Sequence, residues 1–201
     1  SYADEILSIP FSLYGTFRIE NKYGFNTMTP GLWLSDLFKS LIISTLLMSL
    51  LLFAALRLIQ WSPGHWWFFV WSFLFAYGIF IIYISPYVIE PLFNKFTPLE
   101  DETLKGRIVN LTEKAGIHLS RVLKIDASRR SRHTNAYFTG IGRTKRIVLY
   151  DTLLAGMNID EIISVIAHEI GHWKKRHLLK MMAAFQLFSL IGLYITYRVV
   201  Q

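Results

Sequence analysis

The sequence predicts a mainly α, integral-membrane protein: a transmembrane helix bundle with a polar insertion that carries a small β-hairpin or sheet. Three stretches, roughly 36–60, 66–89 and 178–198, carry few or no charges, and a bilayer core needs about twenty apolar residues of helix. The composition agrees: 53% of the 201 residues are hydrophobic and only 17% charged, with six Trp, ten Tyr and fifteen Phe, which is not the make-up of an ordinary soluble domain. Between the second and third spans lies a polar region, 90–177, in which helical and alternating patterns follow one another.

Residues 1–35 are amphiphilic and rich in turn formers, notably Asn21-Lys22-Tyr23-Gly24 and Thr29-Pro30-Gly31, and read as a segment on the cytoplasmic side. The chain opens with Ser, which gives the expectation of a fragment or a processed product. The first span, 36–60, lies too far inside the chain and is too long for a cleavable signal. A short hairpin, 61–65, leads to the second span, 66–89. Trp61, Trp66, Trp67 and Trp71 cluster there, as indoles do at a lipid headgroup boundary. His65 has no carboxylate or second His near it in sequence and reads as an interfacial residue.

Within 90–177, Thr97-Pro98-Leu99-Glu100 has the form of a helix start, with Thr as N-cap and Glu at the third position. The helix expected is 98–115, with Leu104, Ile108, Leu111 and Ala115 as its apolar stripe and Gly116 as its cap. A strand is expected near 122–126. Two more, near 135–139 and 145–150, flank Gly140-Ile141-Gly142 as a β-hairpin. The run Ser128-Arg129-Arg130-Ser131-Arg132-His133-Thr134 is dense in charge and reads, by itself, as a solvated loop. Asn158 and Glu161 then form a capping box that opens a helix over 159–177, leading to the third span at 178–198.

That helix carries His168-Glu169-Ile170-Gly171-His172. Two imidazoles four residues apart project from one helix face and reach a single metal ion in the tetrahedral geometry zinc prefers. Glu169 is placed beside them to accept a proton from the activated water of a hydrolysis. With no cysteine in the chain, zinc must be held by His and carboxylate, and neither disulfides nor a cysteine nucleophile is available. An accidental match to three fixed positions is expected in on the order of one such chain in a hundred. Ile162, Ile163, Val165, Ile166 and Ile170 lead us to expect a buried helix, where zinc would satisfy two imidazoles otherwise costly to bury. His177, about 140° round from His172, reads as a surface or interfacial residue.

The net charge of +7 is not a nucleic-acid signature, because sixteen of the twenty-one Lys and Arg lie between Lys95 and Lys180, in the region joining two spans. The positive-inside rule puts that region, and the metal motif with it, on the cytoplasmic side, and 61–65 on the other. The partners expected are a peptide or protein substrate and the lipid bilayer. A non-catalytic membrane scaffold that binds lipidated or unfolded partners is a rival reading. A transporter is another, but no span holds an inward charge pair or a broken helix.

His168 to Trp173, Ser128 to Phe138 and Lys145 to Leu154, with Lys22 to Asn26 and Pro91 to Leu99, resemble the type I CAAX prenyl protease family. These are membrane-embedded zinc metalloendopeptidases. The resemblance covers nearly the whole chain in order and implies a cytoplasmic, gluzincin-like catalytic insertion with one zinc ion. It implies that His168 and His172 are zinc ligands and Glu169 the general base. Asn135 and Ala136 match a strand whose edge aligns the substrate backbone by β-augmentation, and His133 matches a position near the active centre. The resemblance also implies a third ligand, a Glu in a Glu-x-x-x-Asp context, then a His and an Arg, and about seven spans. The chain reaches Gln201 without them, so the expectation is a fragment that holds zinc weakly by itself. Farnesylated C-terminal CAAX peptides are the substrate it implies, in the endoplasmic reticulum membrane of a eukaryote. In a bacterial inner membrane, which the short Leu154–Asn158 connection favours, the substrate would be membrane proteins under quality control.

Overall fold

The central strand of the polar region sets its architecture. Ile147, Val148 and Leu149 are each no more than 1% exposed, so this strand is covered on both faces and must sit inside a sheet rather than at its edge. The structure, a computed structural model, describes residues 2–140, 145–175 and 177–200. Four strands, β1 (Phe96–Pro98), β2 (Arg121–Ile125), β3 (Ala136–Thr139) and β4 (Arg146–Tyr150), form one sheet in the order β1-β2-β4-β3. β2 and β4 are parallel, with Leu123 opposite Val148, and the two outer pairs are antiparallel. Val148 shares one face with Leu123, Ile125 and Ala127, against which Phe96, Tyr137 and Tyr150 pack.

The chain order of helices is α1 (Tyr2–Tyr14), α2 (Pro30–Trp61), α3 (Trp66–Ile84), α4 (Glu90–Phe93), α5 (Glu102–Lys114), α6 (Asp151–Gly156), α7 (Ile159–Lys174) and α8 (His177–Val200). The chain divides into two compact units. One comprises residues 1–36 and 93–169 and contains the sheet; the other comprises 37–92 and 170–201. In the second unit α3 and α8 pack through aromatic edges, Trp67 lying 5.1 Å from Tyr194 and Trp66 6.2 Å from Tyr197, while the Trp71 indole donates to the Gln186 carbonyl at 3.0 Å. Three of the four indoles expected to form an interfacial belt are thus engaged with α8, as ring edges and an indole N–H demand when partly buried. Trp61 stays 71% exposed.

Among the described residues three helices are long and apolar enough to cross a membrane: Pro30–Trp61, Trp66–Phe93 and Leu179–Val200. Phe53, Phe80, Phe188 and many other large apolar side chains on them point away from the protein, the pattern of a lipid-facing surface.

Several sequence expectations are corrected. Residues 1–35, expected to be rich in turns, are largely helical: α1 accommodates Pro10 and continues over Gly15–Glu20 in wider π-type turns. Thr29-Pro30-Gly31 is a helix start rather than a turn. The Thr29 hydroxyl accepts from the Leu32 N–H at 3.2 Å, so α2 begins six residues before the expected 36 with proline at its first position. The expected helix start at Thr97-Pro98 is instead β1, and α5 opens at Asp101, whose carboxylate accepts from the Leu104 N–H at 2.9 Å. A backbone pairing with β2 outweighs the local capping signal there. Thr112, not Leu111, completes the buried face with Leu104 and Ile108, its hydroxyl satisfied by the Ile108 carbonyl at 3.0 Å. The helix α6 lies where only a connection was expected, and Ile141 and Gly142 of the expected hairpin turn lie outside the described residues.

α5 ends in a Schellman arrangement: Gly116 (φ +76°) follows the C-cap Ala115, the Gly116 N–H donates to Glu113 at 2.9 Å, and the Ile117 N–H to Thr112 at 2.8 Å. No atom lies within 4 Å of where a Cβ would sit, so substitution here is a test of backbone conformation alone. Gly116→Ala should lower unfolding stability by about 1 kcal/mol, and Gly116→Asn by less, as read from thermal melts of the intact protein.

Candidate metal centre and strand edge

α7 is amphipathic, and its start is built by side chains. Asn158 Oδ1 accepts from the N–H groups of Asp160 and Glu161, each at 3.0 Å, and Glu161 Oε2 accepts from the Asn158 N–H at 2.8 Å. This is the capping box expected from the sequence. Ile162, Ile166 and Ile170, one turn apart, are buried. His168 and His172 lie half a turn round from that stripe and are both exposed. The expectation of a buried helix with buried imidazoles is corrected: one face is buried, and the histidine face is the other. Burial therefore does not force the imidazoles to find a metal, and their spacing alone points to one. Residues i and i+4 share a face, and both histidines lie exposed on it. Glu169, half-buried, sits at the margin of that face. α7 ends at Lys174 rather than running to 177, with Lys175 in a turn.

The donor set fits zinc in type: two imidazoles at helical spacing with a carboxylate beside them. Among the described residues no group of three or more His or acidic side chains could hold a metal.

The second element is β3, an outer strand of the sheet among the described residues. The Asn135 carbonyl accepts from the Tyr150 N–H at 3.0 Å, so Asn135 faces β4, and by antiparallel alternation the backbone groups of Ala136 face outward. Asn135 Oδ1 accepts from the Ala136 N–H at 2.8 Å. The asparagine side chain therefore lies along the outer edge and caps its first donor, while the Ala136 side chain is buried.

His133 is placed differently from Asn135 and Ala136. Its ring stacks on Phe25 at 4.3 Å and 17°, and Nε2 lies 3.2 Å from the Glu20 carboxylate. Its carbonyl accepts from the Thr152 hydroxyl at 2.8 Å. Glu20 and Phe25 went unread as partners because they lie more than a hundred residues upstream. The only sequence signal was that Phe25 belongs to the Lys22-Tyr23-Gly24-Phe25-Asn26 match. Replacing Asn158 by Ala should weaken α7 by about 1 kcal/mol, seen as faster amide exchange in its first two turns with the sheet unaffected.

Residues 1–95 match the family described as CAAX prenyl protease N-terminal, five membrane helices, and residues 98–201 match Peptidase family M48. The chain is 42% identical over 187 residues to CAAX prenyl protease 1 of Saccharomyces cerevisiae, covering 92% of this chain and 41% of that protein. It is 43% identical over 195 residues to the CAAX prenyl protease 1 homolog of Dictyostelium discoideum, covering 94% and 45%. An uncharacterized metalloprotease of Bacillus subtilis is 32% identical over 190 residues, with 94% and 44% covered. Among solved structures, the crystal structure of S. mikatae Ste24p matches with a TM-score of 0.92 at 40% identity, over 98% of this chain and 46% of that one. The chain thus spans less than half the length of these relatives.

Proposed function

The chain belongs to peptidase family M48, with the N-terminal region of the CAAX prenyl proteases ahead of the peptidase region, and from that premise we propose that the intact protein is a membrane-embedded zinc metalloendopeptidase. The observation that carries this reading is the pair His168 and His172 on the exposed face of a firmly capped helix, with Glu169 between them. His168 and His172 would hold the ion, with a third ligand from elsewhere in the protein. When bound, zinc supplies Lewis acidity to the scissile carbonyl and acidifies the attacking water. Glu169 takes the proton of that water and delivers it to the leaving amine. The edge of β3 at Asn135 and Ala136 holds the peptide extended beside the site. His133, pinned by Glu20 and Phe25, shapes the approach to that strand.

The substrate class that goes with this reading is a prenylated C-terminal CAAX peptide, the specificity that the names of the eukaryotic relatives state for those proteins. A prenylated substrate goes with the endoplasmic reticulum membrane of a eukaryote rather than with the bacterial inner membrane that the short Leu154–Asn158 connection suggested. The Lys- and Arg-rich region 95–180 places the site on the cytoplasmic side by the positive-inside rule.

Glu169→Gln should reduce cleavage by about 10²- to 10⁴-fold while the zinc content of the intact protein stays near that of wild type. Loss of zinc in parallel with activity, or survival of activity, would falsify the assigned role. Two ligands alone among the described residues also suit a non-catalytic scaffold, for which elemental analysis of the intact protein would find no stoichiometric zinc. On a cysteine-free background, a cysteine at exposed Lys114 should react with a membrane-impermeant maleimide only from the cytoplasmic side, and one at Gly64 only from the other. The reverse pattern would invert the topology.

A further inference from the structure

Arg130 sits in the charge-dense run that reads as a solvated loop, yet it is only 18% exposed in its side chain and its guanidinium is bonded on all sides. Nε donates to Asp36 Oδ2 at 2.7 Å and Nη2 to Asp36 Oδ1 at 3.0 Å, a bidentate fork, while Nη1 donates to Asn94 Oδ1 at 2.8 Å and Nη2 also to the Phe93 carbonyl at 2.6 Å. Asp36 is the last residue of the sheet-containing unit before the chain leaves it, and Phe93 is the first on its return. One guanidinium therefore fastens both crossing points to the loop that leads into β3.

The loop is held at almost every residue around that anchor. Ser128 bonds the Asp151 carboxylate, Ser131 pairs with Asn26, and the Arg132 N–H donates to the Phe25 carbonyl at 2.8 Å. His133 stacks on Phe25, and Asn135 joins β4. Arg130 is the one member of this series whose side chain satisfies acceptors from three separate residues in a partly desolvated place. Such charge-assisted, bidentate bonding fixes geometry more tightly than the neutral contacts around it.

We propose that Arg130 is a positioning residue, which by clamping the 127–135 loop sets the register at which the edge of β3 meets the backbone of a bound peptide. The proposal rests on the strand-edge reading of Asn135 and Ala136. Lysine cannot replace it, because an ammonium on a flexible stem reaches one or two of these acceptors but not the planar set.

The test uses the intact protein, zinc-loaded, with a cleavable peptide and a series of the same peptide methylated on one backbone nitrogen at a time. In wild type, methylation at the residue that pairs with the strand should lower kcat/KM by about five- to tenfold, the worth of one backbone hydrogen bond, and methylation elsewhere should do little. In Arg130→Gln and Arg130→Lys, zinc content should persist while kcat/KM for the parent peptide falls and the position-specific methylation penalty flattens. A merely structural role would lower the melting temperature and the yield but leave the penalty pattern of the surviving enzyme intact, and that result overturns the proposal. Should both substitutions prevent folding, Asn94→Ala removes a single bond of the clamp and is read in the same way. A wild type that cleaves but shows no methylation-sensitive residue refutes the strand-edge reading itself, and is distinguishable because it needs no variant.

Discussion

The complete burial of β4 is the constraint from which the rest of the polar region follows. Ile147 and Leu149 point to one side of the sheet and Val148 to the other, and none is more than 1% exposed, so both faces need cover and both edges need partners. β2 supplies one edge in parallel and β3 the other in antiparallel pairing. The helices supply cover for the Ile147 and Leu149 face. Lys124, on that same face of β2, lines one hollow with Leu104 of α5 and Ile162 of α7, so the metal-motif helix lies on this side. Because Ile162, Ile166 and Ile170 form the buried stripe of α7, the opposite stripe with His168 and His172 is turned outward. The exposure of the histidines thus follows from the amphipathic pattern of α7, whose other stripe is buried.

The same constraint makes β3 the outer strand next to a fully buried neighbour. An outer strand presents unpaired backbone groups in a row, and here its first outward donor is taken by its own neighbour, Asn135. Such an edge is held steady on the side of β4 and tied at its start to the loop over 127–135. On the strand-edge reading proposed above, a substrate strand would add to a template already ordered, which lowers the entropy lost on binding.

That loop shows how little a charge pattern says about exposure. Arg129 and Arg130 are adjacent and chemically alike, yet Arg129 makes only a local pair with Asp126 while Arg130 is enclosed by Asp36, Asn94 and Phe93. Arg129 is about half exposed, and its i,i+3 pair contributes little. Losing one partner of the Arg130 set would leave charge in a partly desolvated place, which costs several times more.

Much of the protein was legible in the chain by itself, wherever the signal is local. Apolar length fixed the three candidate spans, the Asn158–Glu161 capping box fixed where α7 begins, alternation fixed the β3–β4 hairpin, and the spacing of His168 and His172 fixed a shared helix face, because each depends on residues within one or two turns of each other. Tertiary structure decided what depends on distant partners. It turned the histidine stripe outward, converted Thr97-Pro98 from a helix start into β1 through pairing with β2, and enclosed Arg130 with residues 94 and 36 positions away in sequence. No periodicity encodes those contacts, since they arise only when the chain has folded back and each polar group competes for the acceptors the fold happens to bring within reach.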